Sequence, residues 1–86
     1  MPRISEFFGI AIYMYYKDHS PPHFHAIYAQ YDTAVGIDPV EVLEGILPRR
    51  VQSLVFEWAA MYQDELQANW ELARAGQALR RIPTLE

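Results

Sequence analysis

The first half of the chain carries short runs of aromatic, β-branched and alternating apolar residues that are typical of β-strands. Residues 6–16 contain no proline and predict one strand, with Gly9 marking a bulge or a bend. Alternate side chains of a strand point to opposite faces, so this strand has a core face and an outer face. The predicted core face carries Phe8, Ile10, Ile12 and Met14, and the other face carries Phe7, Ala11, Tyr13 and Tyr15.

The strand pattern continues after a proline-containing loop at residues 17–22. A second strand is predicted over residues 23–29 and a third over residues 33–37. Residues 40–43 form either a short fourth strand or a turn. The short connections predict an antiparallel meander of three or four strands.

The second half of the chain has apolar residues at three- and four-residue steps, which predicts an amphipathic helix over residues 48–76. Its apolar stripe comprises Val51, Leu54, Val55, Trp58, Tyr62, Leu66, Trp70 and Ala73. A continuous helix of this length would be about 40 Å long, which is more than a small sheet covers. A break near residues 63–65 is therefore the alternative, since Asp64 and Gln67 resemble a helix cap.

These elements predict a single α+β domain over residues 1–86, with the meander in residues 1–47 packed on the long helix. Residues 77–86 are expected to form an extended tail. A chain of 86 residues buries only about 60–65% of its unfolded surface, which favours stabilisation by a partner.

Composition and charge narrow the function classes. The absence of cysteine excludes a disulfide scaffold, thiol catalysis and cysteine-based zinc fingers. The net charge of −4 disfavours general nucleic-acid binding, which depends on neutralising phosphates. Neither a signal-peptide pattern nor a membrane-spanning apolar run is found, so we expect a cytoplasmic protein without membrane contact.

All three histidines lie in residues 18–25, Asp-His-Ser-Pro-Pro-His-Phe-His, where two prolines stiffen the backbone. His23 and His25 are two residues apart and share one face of a strand. One interpretation is a metal site formed by these two imidazoles, with His19 or Asp18 as a further ligand. Imidazole and carboxylate suit divalent transition metals such as zinc, nickel, copper or iron, and three ligands leave a position open for catalysis.

Two other interpretations need no metal. His23 and His25 are candidate catalytic residues of an acid–base pair that cleaves RNA, with Tyr13 and Tyr15 on the same face as substrate contacts. Alternatively, the imidazoles hold the double-proline loop by hydrogen bonds, and the tyrosines belong to a partner-binding surface.

Arg49 and Arg50 are candidates for anion or substrate contact. They follow Pro48 in the first turn of the predicted helix, where free backbone N–H groups bind anions. The alternative is that Glu41 and Glu44, just upstream, form weak surface ion pairs with them.

Several motifs resemble those of a family of small bacterial proteins that is classed as a domain of unknown function. They are Met1-Pro2-x-Ile4, Phe8-Gly9-Ile10, Met14-Tyr15-Tyr16-x-Asp18-His19-x-Pro21-Pro22-His23-Phe24-His25-Ala26, Val42-Leu43-Glu44-Gly45-x-Leu47-Pro48, Glu57-Trp58-Ala59, Asn69-Trp70 and Ala75-Gly76. Some members are described as DhiT-type toxins of type II toxin–antitoxin systems, and a neighbouring gene often encodes a small protein that is taken as the antitoxin.

The resemblance implies a cytoplasmic bacterial toxin-like module with a small antitoxin-like partner, and it assigns no catalytic residue. RNA cleavage through the histidine-containing face is one activity consistent with it. The alternatives are a non-enzymatic binding module, as a homodimer or in complex with a small partner protein, and a metal-binding protein with histidine ligands.

Overall fold

The computed structural model describes residues 2–85 and shows an α+β fold in which five antiparallel strands precede two helices. The strands follow one another in the sheet in chain order. They are β1 (Arg3–Phe7), β2 (Ile10–Tyr13), β3 (His23–Tyr28), β4 (Tyr31–Gly36) and β5 (Val42–Glu44). The helices are α1 (Arg49–Met61) and α2 (Gln63–Arg74). The predicted fold class is confirmed, whereas the prediction of three or four strands is wrong.

The additional strand results from a turn at Gly9, where the chain reverses its direction instead of bending. Phe8 and Gly9 have φ angles of 50° and 76° and form a two-residue turn between the paired residues Phe7 and Ile10. Positive φ at both central residues matches the twist of a two-residue hairpin. The predicted strand over residues 6–16 is therefore a hairpin of β1 and β2. Consequently Phe8, predicted in the core, is 60% exposed, and Phe7, predicted on the outer face, is buried.

The predicted helix is interrupted at Tyr62, which has φ −118° and ψ 31°. The break lies next to the region where the alternative prediction placed it, and one continuous helix over residues 48–76 is wrong. Pro48 immediately precedes α1 rather than occupying its first turn. Gly76, with φ 73°, ends α2, and its N–H donates to the Ala73 carbonyl at 3.1 Å. Within residues 2–85, neither helix combines the length and apolar character that crossing a membrane requires.

Trp58 of α1 lies at the centre of the core between sheet and helices. Its ring centroid is 5.3 Å from that of Phe7 and 5.6 Å from that of Phe24. Its indole N–H donates to the carbonyl of Pro83 at 2.8 Å. The completely buried apolar residues around it include Ile10, Ile12, Met14, Val35, Ile37, Val55 and Leu66. The helices thus cover one face of the sheet, and the other face can carry a binding or catalytic site.

Residues 77–85 have no regular secondary structure, yet they pack on the domain. Asn69 of α2 donates to the Arg80 carbonyl at 2.8 Å and accepts from the Arg80 N–H at 3.0 Å. The Ile82 N–H donates to the Ile4 carbonyl at 2.8 Å, and the side chains of Ile82 and Leu85 are buried. The tail is therefore part of the folded domain and protects the edge strand β1.

Candidate metal centre

The loop between β2 and β3 is held by the C-terminal end of α2. The Lys17 N–H donates to the Ala73 carbonyl at 3.2 Å, and Arg74 donates to the Ser20 hydroxyl at 3.3 Å. At its far end the Pro22 carbonyl accepts from the Ile37 N–H. These contacts place Asp18 next to the first residues of β3.

His23 is buried at the start of β3, with its ring centroid 5.2 Å from that of Trp70. Its Nδ1 atom is 2.8 Å from the carbonyl oxygen of Pro21. A carbonyl only accepts, so we assign a proton to Nδ1. Nε2 is 3.0 Å from Oδ2 of Asp18. The sequence predicts that His23 lies on the outer face of the sheet. In the structure the loop and α2 cover the His23 side chain.

His25 lies two residues further along β3, and both of its ring nitrogens face carboxylates. Nε2 is 3.5 Å from Oδ2 of Asp18, and Nδ1 is 3.8 Å from Oδ1 of Asp32. The Nε2 atom is buried and has no hydrogen-bond partner among residues 2–85. The ring packs on Tyr15 at a centroid distance of 4.4 Å.

One donor atom from each of Asp18, His23 and His25 lies within 4.8 Å of the other two. Burial raises the pKa of Asp18, but a hydrogen bond from the His19 N–H at 2.8 Å and the two neighbouring imidazoles lower it more. The net pKa is below the ordinary value, so the carboxylate is ionised at neutral pH. The three side chains thus offer two imidazoles and one anionic oxygen to a common point.

A cleft of about 510 Å³ opens beside these three residues. It is lined by Tyr15, Asp18, His19, Pro21, His23, His25, Ala34, Leu43 and Glu44. Burial and the nearby carboxylates of Asp32 and Asp18 raise the pKa of Tyr15, which keeps its phenol protonated as a hydrogen-bond donor. The cleft therefore combines acidic, imidazole and apolar groups.

Strand register explains how Glu44 reaches this cleft. Tyr13 of β2 pairs with His25 of β3, His25 pairs with Ala34 of β4, and Ala34 pairs with Glu44 of β5. Directly paired residues share a face, so these four form a row across the sheet. The small side chain of Ala34 leaves room between His25 and Glu44. Tyr13 belongs to this row but does not line the cleft.

His19 lies beside the three converging residues and is mostly exposed. Its side chain is 86% exposed, and Nε2 is 3.7 Å from Oδ1 of Asp18. Its Nδ1 atom is 3.2 Å from the Ser20 carbonyl oxygen. Of the four residues proposed from sequence as metal ligands, the fold brings together the donor atoms of Asp18, His23 and His25.

Arg49 and Arg50 do not join the histidine cleft. Arg50 lines a separate cleft of about 170 Å³ with Phe8, Tyr28, Val51 and Leu54. Ion pairs of either arginine with Glu41 or Glu44 are not found in the described part of the chain.

Asp32 and Glu44 were missed as site residues by the sequence analysis. Asp32 falls between the second and third predicted strands, and Glu44 is a candidate only for ion pairs with the arginines. The signal that would have found them is the register of β3, β4 and β5, which depends on a two-residue turn at residues 29–30. Ala29 adopts a φ of 52° in this turn, although alanine is an unusual residue there.

Comparison with known proteins identifies a family without assigning an activity. The profile of a family described as "Domain of unknown function (DUF4160)" matches residues 9–71, which include every strand from β2 onward and most of both helices. No curated protein and no solved structure matches the chain.

Proposed function

The chain belongs to the DUF4160 family of domains of unknown function, and we propose that it binds a divalent transition-metal ion through Asp18, His23 and His25. The observation that carries this proposal is the convergence of their three donor atoms around a buried imidazole nitrogen, Nε2 of His25, that has no hydrogen-bond partner in residues 2–85. Burying a polar atom without a partner is costly, and a metal ion would satisfy it.

The hydrogen bond on the far side of His23 supports the same conclusion. With the proton of a neutral imidazole on Nδ1, Nε2 carries a lone pair and faces the Asp18 carboxylate at 3.0 Å. Two acceptors at this distance repel unless a proton or a cation lies between them. A carbonyl or carboxylate on the outer nitrogen is also the usual partner of a metal-binding histidine, and Asp32 stands in this position beside His25.

The donor set and the cleft favour a metal with an open coordination position. Two imidazoles and one carboxylate are a ligand set of zinc and of non-haem iron sites. Three protein ligands leave room for water or substrate on the cleft side, where a metal can polarise a bound group. The residues lining the cleft include Glu44 and, in the described chain, no lysine or arginine, so it favours cations over phosphate groups.

Elemental analysis of the full chain, produced without a histidine tag, tests the proposal. We expect about one transition-metal ion per chain, or one zinc site by calorimetry after chelator treatment and zinc addition. His23→Ala and His25→Ala should abolish the site. His19→Ala is the matched control and should retain it, because His19 lies outside the three converging donors. Absence of stoichiometric binding, or equal loss in all three variants, would refute the site.

A second candidate is a cytoplasmic toxin-like module that cleaves RNA without a metal. It is supported by the motif resemblance and by His25, whose imidazole lines the cleft beside the carboxylates of Asp18 and Asp32, a position suited to acid–base catalysis. A small antitoxin-like protein would be its partner, and a homodimer or a stable complex without enzymatic activity is the alternative for the same surface.

Expression of the chain by itself in a bacterial host separates the two candidates. Growth arrest that His25→Ala relieves, together with RNA cleavage that persists in excess EDTA, would support a metal-free ribonuclease. Cleavage that disappears in EDTA and returns with zinc would support a metal-dependent toxin. Unchanged growth and intact RNA would reject the toxin hypothesis while leaving metal binding to the elemental analysis.

A further inference from the structure

Phe8 lies at a mostly exposed position, where its ring makes an edge-to-face contact with that of Phe7 at a centroid distance of 6.4 Å. It is the first residue of the two-residue β1–β2 turn, with φ 50°, and its side chain is 60% exposed. Asparagine, aspartate and glycine are the residues that favour this conformation. An exposed phenylalanine here has both an unfavourable backbone and little burial, so the packing of this chain alone does not account for it.

The Phe8 ring borders a small cleft that the sheet and α1 form together. The cleft has a volume of about 170 Å³, and Tyr28, Val51 and Leu54 complete its aromatic and aliphatic wall. Arg50 is exposed at its rim, and Arg49 is the adjacent exposed residue. This cleft shares no lining residue with the histidine cleft, so it does not depend on the proposed metal.

The rim of the cleft is positively charged without internal compensation. No ion pair involves either arginine within residues 2–85, and the first turn of α1 contains no acidic residue. The helix dipole adds partial positive charge at the same end. A carboxylate placed beside the Arg50 guanidinium group would therefore find complementary charge and paired donors.

We propose that this Phe8–Arg50 cleft binds an acidic peptide segment of a partner protein. A leucine-like side chain would enter the apolar cleft beside Phe8, and a neighbouring aspartate or glutamate would pair with Arg50. Aromatic residues and arginine around a small pocket are the composition of binding hot spots. A peptide fits better than a nucleic acid, because two arginines on a chain of net charge −4 give few phosphate contacts.

Fluorescence anisotropy with the full chain tests this proposal. The probe is a labelled eight-residue peptide of alternating glutamate and leucine, compared with the same peptide carrying glutamine in place of glutamate. We expect the acidic peptide to bind at least roughly tenfold more tightly than the glutamine peptide, with the preference weakening in salt. Arg50→Ala should remove this preference, whereas Arg81→Ala, at an exposed arginine of the tail, should preserve it.

The Phe8→Asn variant separates an effect on peptide binding from an effect on the stability of the fold. Asparagine suits the turn, so the melting temperature should stay equal or rise, while peptide affinity falls roughly tenfold or more. Equal binding of both peptides, no binding by the parent chain, or unchanged affinity in Phe8→Asn would overturn the proposal. Tighter binding of a twelve-nucleotide RNA, or a homodimer that Phe8→Asn dissociates, would also overturn it by assigning the cleft to another occupant.

Discussion

Nε2 of His23 and Oδ2 of Asp18 lie 3.0 Å apart across the loop that joins β2 to β3. The opposite ring nitrogen of His23 donates to the Pro21 carbonyl, so the short contact requires a proton or a cation between Nε2 and Oδ2. With the proton on the imidazole, or with a bound cation, the carboxylate is ionised. The lowered pKa of Asp18 agrees with this state.

The Asp18 carboxylate should make folding dependent on acid pH. Its pKa is lowered in the folded chain, so its contribution to stability is fully present above the ordinary pKa of about 4 and is lost as the pH falls through the lowered value. Asp18→Asn should therefore reduce the free energy of unfolding by about 1–3 kcal/mol at pH 7. The deficit should shrink below about pH 4.

Urea unfolding in EDTA at pH 7, 5 and 3 measures this effect of Asp18→Asn. Asp38→Asn is the control, because Asp38 is exposed and forms no ion pair within residues 2–85. A deficit of Asp18→Asn that stays constant over the whole pH range would contradict the assignment.

Zinc should stabilise the parent chain through the three converging ligands. At a free ion concentration one hundred times the dissociation constant, the expected gain in unfolding free energy is about 2.7 kcal/mol. The gain should fall as the pH is lowered, because protons compete with the metal for its ligands. Thermal unfolding with zinc or EDTA measures it. A zinc-induced shift that survives in a His23→Ala, His25→Ala double variant would place the ion elsewhere.

Gly45 directly follows β5, and glycine should be essential there because the backbone passes close to that of Asp32 in β4. The φ of Gly45 is 86°, and a Cβ atom there would lie 2.5 Å from the backbone oxygen of Asp32. Gly45→Ala should therefore cost about 3 kcal/mol or more, since neither the backbone angle nor the clash is relieved by side-chain motion.

Gly76→Ala is the matched comparison for Gly45→Ala. Its φ of 73° is similar, but the nearest atom to a Cβ is the flexible end of Lys17 at 3.7 Å. It should cost only about 1–2 kcal/mol. Denaturant unfolding of both variants measures the difference, and equal costs would show that the close approach to Asp32 is unimportant.

Asn69 should anchor the C-terminal tail. Its amide group satisfies both backbone polar groups of Arg80, and Asn69→Ala would remove both bonds. We expect a loss of about 2–4 kcal/mol in unfolding free energy and faster hydrogen exchange at the Ile82 amide. Gln67→Ala on the same helix, where the side chain makes one long contact with Glu71, is the control. Slow exchange at Ile82 in Asn69→Ala would exclude the anchoring role.

The fold class could be predicted because its signals are local. Apolar residues three and four positions apart predict the helical half, and short aromatic and β-branched runs predict the sheet. The missed hairpin shows the limit of this approach. Phenylalanine is not typical of a two-residue turn, so the sequence predicts one strand through Phe8. This prediction puts Phe8 on the core face and Phe7 on the outer face, which is the reverse of the observed arrangement.

For the candidate site, the sequence by itself determined that two imidazoles lie on one strand after a stiff loop that contains one aspartate. Only the tertiary structure decided that Asp18 lies close to both imidazoles and that Glu44, paired with Ala34, lines the same cleft. It also decided that Arg50 lines a different cleft with Phe8. Strand register and the anchoring of a loop by a distant helix are contacts between residues far apart in the chain. Their energy depends on which surfaces meet, and residue spacing within one segment does not contain that information.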